Sequence, residues 1–180
     1  MKRRTIVQTS LAAGLVAGMV ALNLREDDPP SLSKDVPWRP TNWPFPRDAW
    51  PQGRAWRRGT LEVYVRPKLG FCGNCETGVT TDEEVDRVTD VDLLDQRFAP
   101  VNEGLAVRIG AMSGRARLYR YELPTGVMRH VEGIAVSQKC DLVIAVIAGN
   151  LLDERERTSA YRHLESSTVQ DWISQALGGR

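Results

Sequence analysis

The chain has 180 residues, of which 42% are hydrophobic and 26% are charged. Both values are typical of a soluble globular protein, and at roughly 100–200 residues per domain the length predicts one ordinary domain with short extensions. The composition excludes a wholly disordered, a collagen-like or a polytopic membrane chain, and three cysteines are too few for a disulfide-dense miniprotein. The net charge of +1 indicates neither an acidic nor a basic partner.

The neutral total is the average of three unlike segments. Residues 1–60 carry a net charge of +5, residues 61–104 carry −6 and residues 105–180 carry +2. Together with the hydropathy pattern, this order predicts a signal peptide or membrane anchor at 1–28, a Trp/Pro-rich extended arm at 29–59, and a folded domain at 60–180.

The first thirty residues have the organisation of an export signal. Lys2, Arg3 and Arg4 form a basic start, residues 5–24 contain no charged side chain, and an acidic, proline-containing stretch follows at once. A basic end stays on the cytoplasmic side while the apolar segment enters the bilayer. The leader therefore predicts export to the periplasm, with the inner membrane as its first partner.

The leader resembles a bacterial twin-arginine (Tat) signal peptide. The resemblance rests on the Arg3–Arg4 pair, the apolar residues that follow it in RRTIVQ, and the small-residue-rich core that begins TSLAAG. It implies a bacterial protein that crosses the membrane already folded. An ordinary secretory signal that begins with two arginines is the alternative, and both a removed leader and a retained anchor remain open because the apolar run contains no good cleavage site.

The arm combines seven of the ten prolines with four of the five tryptophans. Proline fixes φ and removes a backbone donor, so we expect an extended conformation rather than a helix or a central strand. A plain linker would not expose four indoles to water. They either pack into grooves of the domain or form a docking surface for a protein partner or lipid headgroups. The four are Trp38, Trp43, Trp50 and Trp56.

The sequence from residue 60 onward predicts an α+β fold with a mainly antiparallel sheet of about five strands and two or three helices, preceded by the N-terminal hydrophobic helix. Alternating or continuous apolar residues indicate strands at 61–65, 106–112, 115–123, 127–136 and 142–148, the last being central. Turns are expected at 112–114 and 124–126. A capping box from Thr81 to Glu84 begins one helix, Ser167 begins another that ends near Leu177, and residues 152–165 favour a third.

Cys72 and Cys75 form a CxxC motif, and Cys140 lies before the central strand. A CxxC resembles the redox motif of thioredoxin-like proteins, although here no strand leads directly into it and no helix directly out of it. In the periplasm, three cysteines favour one disulfide, either from one CxxC cysteine to Cys140 or between Cys72 and Cys75. A Cys₃His metal site with His130 is a weaker alternative, so we predict no metal and no cofactor.

Other candidate chemistry is incomplete. Seven acids between residues 82 and 95 lack a calcium-loop pattern and are expected to form a solvated helix face and turn. Arginines 115 and 117 and tyrosines 119 and 121 share one face of a predicted strand, but export argues against a nucleic-acid partner. His130 and His163 could serve as general bases, yet neither has a nucleophile motif near it.

The sequence therefore predicts a non-enzymatic, exported accessory or interaction domain. Its rival is a periplasmic thiol–disulfide oxidoreductase that uses Cys72 and Cys75.

Overall fold

A computed structural model describes residues 36–46, 48–70, 78–150 and 152–178. Within them the chain forms eight strands, three α-helices and a short 3-10 helix at Asp90–Leu93. The strands are β1 (Arg39–Thr41), β2 (Arg54–Arg58), β3 (Leu61–Lys68), β4 (Ala99–Pro100), β5 (Leu105–Ile109), β6 (Met112–Glu122), β7 (Met128–Gln138) and β8 (Asp141–Gly149). The helices are α1 (Asp82–Val88), α2 (Glu154–Leu164) and α3 (Ser167–Gly178).

All eight strands join one antiparallel sheet in the order β1-β2-β3-β8-β7-β6-β4, and β5 also pairs with β6. The predicted α+β class with a mainly antiparallel sheet is thereby confirmed. The strand count was too low because β1 and β2 come from the proline-rich arm and β4 has only two residues. Pro40 is tolerated in β1 because that strand lies at the edge of the sheet.

The continuously apolar strand β8 lies in the middle of the sheet, between β3 and β7, as predicted. Its residues from Leu142 onward are all buried, because both faces of the sheet are covered. Alternate residues point to opposite faces. Ile147 belongs to the cluster beneath α2 and α3, whereas Ile144 belongs to the cluster beneath α1 and the 3-10 helix.

We call these two sides of the sheet the helix face and the charged face. The helix face is covered by α2 and α3, whose Ala160, Leu164, Val169 and Ile173 are buried against the strands. The charged face is covered by α1, the 3-10 helix and the loop between β1 and β2, and it buries six ionisable side chains among its apolar residues. These are Arg66, Lys68, Asp90, Tyr64, Tyr119 and Tyr121.

The helix starts follow their sequence signals. The Thr81 hydroxyl accepts from the Glu84 amide at 3.3 Å, and Glu84 in turn accepts from the Thr81 amide at 3.0 Å, which is the predicted capping box. Asp153 caps α2 by accepting from the Glu156 amide at 2.7 Å. These caps fix where α1 and α2 begin, and the two helices pack on opposite faces of the sheet.

One of the two predicted turns was misplaced. Residues 112–114 lie inside β6, and the chain reverses at Gly110 and Ala111 instead. Gly110 has φ +59, a left-handed conformation suited to a two-residue hairpin turn. The predicted turn at 124–126 is confirmed, with the Gly126 amide donating to the Leu123 carbonyl at 2.9 Å.

The leader, including Arg3, Arg4 and the predicted N-terminal hydrophobic helix, lies outside the described residues. Within the part of the chain that the structure describes, no helix is both long and apolar enough to cross a membrane.

Candidate functional site

The described part of the Trp/Pro arm is built into the sheet rather than laid over it. Strand β2 pairs with β3, and β1 pairs with β2, so the arm supplies one edge of the sheet. The loop at 42–53 connects the two strands. This arrangement distributes the four arm tryptophans over both faces, Trp38 and Trp56 with the helix face and Trp43 and Trp50 with the charged face.

On the helix face, the indoles pack around a buried histidine. Trp38 stacks on His163 with ring centroids 4.4 Å apart, and Trp56 meets the same imidazole edge-on at 5.2 Å. Trp172 of α3 lies 6.0 Å from Trp56. These contacts hold the arm against α2 and α3, and they account for the two indoles by packing alone.

His163 is neutral in this environment. Burial lowers its pKa from 6.5 to about 4, because a desolvated imidazolium loses its hydration. Among the described residues, its Nε2 atom has no hydrogen-bond partner. Such an imidazole is an aromatic packing group, and its contacts offer no support for the role of general base considered for it above.

On the charged face, Trp43 is fixed from several sides. It meets Phe45 edge-on at 4.9 Å and Tyr64 of β3 at 6.2 Å. The loop can approach this closely because Gly53 has no side chain: a Cβ there would lie 2.4 Å from the Trp43 ring and 2.5 Å from the Val65 carbonyl oxygen. Trp43 therefore has one orientation, with part of its surface left exposed.

A pocket of about 220 Å³ opens between the loop and strand β3. Three of its lining residues are apolar and three are polar. The lining consists of Trp43, Pro46, Asp48, Trp50, Gln52 and Arg66. Aromatic walls with a few convergent polar groups are typical of small-ligand sites. This pocket is the candidate functional site of the described domain.

The lining residue Arg66 belongs to a buried ion network with Lys68 and Asp90, which do not line the pocket themselves, and we call this network the floor. Arg66, 3% exposed, binds both carboxylate oxygens of Asp90 at 2.7 and 2.8 Å. Lys68, 7% exposed, binds Asp90 at 2.9 Å and donates to the Val88 carbonyl at 2.7 Å. A planar guanidinium held in this bidentate way has a fixed direction. The floor is therefore rigid, and Arg66 presents its third nitrogen towards the loop.

That nitrogen is taken by Asp48, at the mouth of the pocket. The Arg66 Nη1 atom lies 2.5 Å from Asp48 Oδ2, and the Trp50 amide donates to Asp48 Oδ1 at 2.9 Å. Burial works to raise the pKa of Asp48, but the Trp50 amide and Arg66 outweigh it and hold that pKa below its ordinary value. The Asp48 side chain is 39% exposed. It is thus an ionised acceptor that solvent or a ligand can reach.

The two cations also lie near the indoles. The Arg66 guanidinium carbon is 5.8 Å from the Trp43 ring centroid, and the Lys68 ammonium is 5.8 Å from that of Trp50. The pocket therefore combines positioned aromatic surface with charges that compensate one another. Such a lining can bind and orient a ligand. Among the described residues that line it, none is His, Cys, Ser or Thr.

A second ionic network joins α1 to β6 on the charged face. Asp82 binds Arg115 at 2.5 Å and accepts from the Gly104 amide at 3.0 Å. Asp86 binds Arg117 at 2.6 Å and accepts from the Tyr119 hydroxyl at 2.6 Å. The prediction that the acids at 82–95 form a solvated face was wrong for Asp90, which is buried, while Asp82 and Asp86 are partly exposed and engaged in ion pairs. The arginines and tyrosines of β6 are thus largely occupied by contacts within the fold.

The sequence analysis missed a buried acid on the helix face. Glu132 of β7, 2% exposed, binds Arg157 at 2.7 and 3.0 Å and accepts from the Tyr161 hydroxyl at 3.1 Å. An acid inside the otherwise apolar run 131–136 was the available signal, since a buried carboxylate needs a partner. Within the described ranges, no group of three or more His, Cys, Asp or Glu is arranged to hold a metal ion.

The structure describes only one of the three cysteines for which a disulfide or redox role was predicted. Cys72 and Cys75 fall outside the described residues, whereas Cys140 lies in the turn between β7 and β8. The residues on either side of the undescribed segment both reach that hairpin. The Gly70 amide donates to Asp141 at 2.7 Å, and a Cβ on Gly78 would lie 2.3 Å from the Ser137 hydroxyl.

Comparison with known protein families, with curated proteins and with solved structures finds no match to this chain.

Proposed function

We propose that this chain is an exported protein, tethered to the inner membrane or released beside it, whose folded domain is a non-enzymatic interaction module. The observation that carries the interaction role is the pocket between the arm and β3. Its residues Trp43, Asp48, Trp50 and Gln52 come from one loop that is anchored at both ends by strands of the sheet. A rigid mount of this kind favours selective binding.

Export is supported by the leader alone. Full-length protein expressed in a bacterial host should be digested by protease added to spheroplasts, as expected for a domain on the periplasmic side. The double substitution Arg3→Lys and Arg4→Lys should leave the domain protected inside the cell if the leader is a twin-arginine signal. Arg25→Lys, which also conserves charge, serves as the matched control and should be exported normally.

Two results would contradict this part of the proposal. Wild-type protein that stays protected inside spheroplasts would contradict export, and a double variant exported as well as wild type would contradict the twin-arginine assignment. Intact mass of the isolated protein decides between a removed leader and a retained anchor.

We also propose a structural disulfide between Cys140 and either Cys72 or Cys75. The support is local: Gly70 bonds to Asp141, next to Cys140, and Gly78 packs against Ser137 of the same hairpin. Both ends of the CxxC segment are thereby fixed at the turn that holds Cys140. A bridge closing about 65 residues would stabilise the domain by about 4 kcal/mol in the chain-entropy model.

Peptide mapping of the unreduced protein tests the bridge. A peptide pair that joins Cys140 to Cys72 or Cys75 is expected, and Cys140→Ser should lower the stability. A Cys72–Cys75 disulfide, together with insulin reduction that is abolished by Cys72→Ser, would contradict the bridge and would establish the rival thiol–disulfide oxidoreductase.

A further inference from the structure

We propose that the pocket binds a single ring of a neutral sugar, stacked on Trp50 and held by the polar groups of Asp48 and Gln52. This inference rests on the proposed interaction function and names the chemical class of its ligand. It uses only residues 43–52 and β3, and it is independent of the leader and of the cysteines.

The charge balance of the pocket favours a neutral guest. Two cations, Arg66 and Lys68, face two carboxylates, Asp48 and Asp90, and all four are joined by contacts of 2.5–2.9 Å. An anion would have to displace Asp48 from Arg66, and a cation would meet the Arg66 guanidinium, which lies 5.8 Å from the Trp43 ring centroid. For a charged ligand, the favourable interaction with one charge of the network would therefore be offset by the unfavourable interaction with the opposite charge beside it.

The polar lining disfavours a purely apolar guest. Filling the pocket with an aliphatic or aromatic group would remove water from Asp48, Gln52 and Arg66 without replacing its hydrogen bonds. An unsatisfied polar group costs free energy comparable to a lost hydrogen bond, and more when it is charged. The preferred guest must present hydroxyl groups as well as apolar surface.

A sugar ring has both properties. The C–H face of a pyranose is apolar and can lie on an indole, while its hydroxyls can donate to Asp48 and both donate to and accept from Gln52. A carboxylate and an amide in one lining match the two-sided hydrogen bonding of vicinal hydroxyls. The volume of about 220 Å³ suits one ring rather than several.

Binding is tested on the full-length protein in detergent, by isothermal titration with N-acetylglucosamine and with methyl glucoside. Trp50→Ala should weaken binding by about tenfold or more, since the stacking surface is lost. Gln52 is exposed, so Gln52→Ala leaves the fold intact and should weaken binding several-fold. Gln96→Ala, at another exposed glutamine, is the matched control and should bind like wild type.

The same protein is titrated with a trisaccharide of N-acetylglucosamine, with hexaproline and with tetramethylammonium. Tighter binding of the trisaccharide would identify a polymeric glycan as the source of the ring, and equal binding would identify a free sugar. Both results require that Trp50→Ala and Gln52→Ala weaken the interaction.

Other results overturn the sugar assignment. If hexaproline or tetramethylammonium binds instead, and Trp50→Ala abolishes it, the domain is an interaction module with a different ligand class. If no probe binds, or if sugar binding is unchanged in either pocket variant, the pocket is not a sugar site of the proposed kind. Neither result bears on export, which the spheroplast experiment tests separately.

Discussion

Both faces of the sheet have a cluster of buried residues, but the two clusters differ in the kinds of contact they contain. The helix face is an aliphatic and aromatic core with one buried acid, Glu132, that is paired with Arg157. The charged face places two ionic networks among its apolar residues and leaves a pocket at its edge. The helix face is thus mainly apolar packing, whereas the charged face adds ion pairs of defined geometry and contains the candidate pocket.

The tryptophans of the arm show the same division. Trp38 and Trp56 pack against His163 and form part of the core contacts. Trp43 and Trp50 line the pocket beside Arg66. A single sequence feature, four tryptophans spaced through a proline-rich segment, therefore serves packing on one face and is proposed to serve binding on the other.

The largest effect is expected from disrupting the buried ion network of the charged face. Asp90→Ala would leave Arg66 and Lys68 buried without their shared carboxylate, so we expect a loss of about 3–5 kcal/mol in the free energy of unfolding. Urea denaturation measures it. Asp92→Ala, at an exposed acid of the same 3-10 helix, should change stability by less than about 0.5 kcal/mol. Equal effects of the two variants would contradict the buried network.

The next prediction compares the same substitution at two isoleucines of β8, one on each face of the sheet. Ile147→Ala removes methyl groups from the helix face, and Ile144→Ala removes them from the charged face. Both are fully buried, so each should cost about 2–5 kcal/mol by urea denaturation. A loss below about 1 kcal/mol at Ile144 alone would mean that the charged face is not a packed core.

Acid should destabilise the helix face through His163. Because burial lowers its pKa to about 4 from 6.5, the unfolded state takes up the proton first. The stabilisation is complete above pH 6.5 and is lost as the pH falls towards 4, with at most about 3 kcal/mol at stake.

The His163→Gln variant removes this titration. Between pH 7 and pH 4.5 it should lose about 2–3 kcal/mol less than wild type, as measured by urea denaturation at each pH. Asp82 and Asp48 have lowered pKa values, so their contribution to stability also decreases as the pH falls. This decrease is the same in both proteins and therefore cancels in the difference between them. Parallel pH profiles of the two proteins would show that His163 is not buried as described.

The smallest effects concern the helix caps. Thr81→Ala in α1 and Asp153→Ala in α2 each remove a side-chain acceptor from the first turn. Each should lower the free energy of unfolding by about 1 kcal/mol. A cost confined to one of the two variants would show that the other cap hydrogen bond does not stabilise its helix.

Local patterns predicted the elements of this fold well. The alternation of Leu61 and Val63 with Glu62 and Tyr64 indicated β3, and the Thr81–Glu84 box located α1. These signals lie within a few residues of one another, where backbone periodicity and capping chemistry operate. The turn at Gly110 was misplaced because Ser113 and Gly114, also common in turns, follow directly after it.

The pocket could not be predicted in the same way. Arg66 is separated from Asp90 by 24 residues and from Asp48 by 18, and nothing in the composition indicates which acid meets which cation. Which tryptophan lies on which face depends on the register of β1 and β2. Because the arm is rich in proline, no strands were predicted there, and their register could not be predicted either. Pairing between distant segments is decided by topology, and one sequence carries little local trace of it.

The division between the two faces is tested most directly by the five indole N–H signals in a ¹H–¹⁵N spectrum of the full-length protein, titrated with N-acetylglucosamine. Substitution of each tryptophan assigns the signals. Our account predicts that the signals of Trp43 and Trp50 shift with one saturation curve, while those of Trp38, Trp56 and Trp172 stay in place. Shifts confined to Trp38, Trp56 or Trp172, or no shift at any of the five, would contradict it.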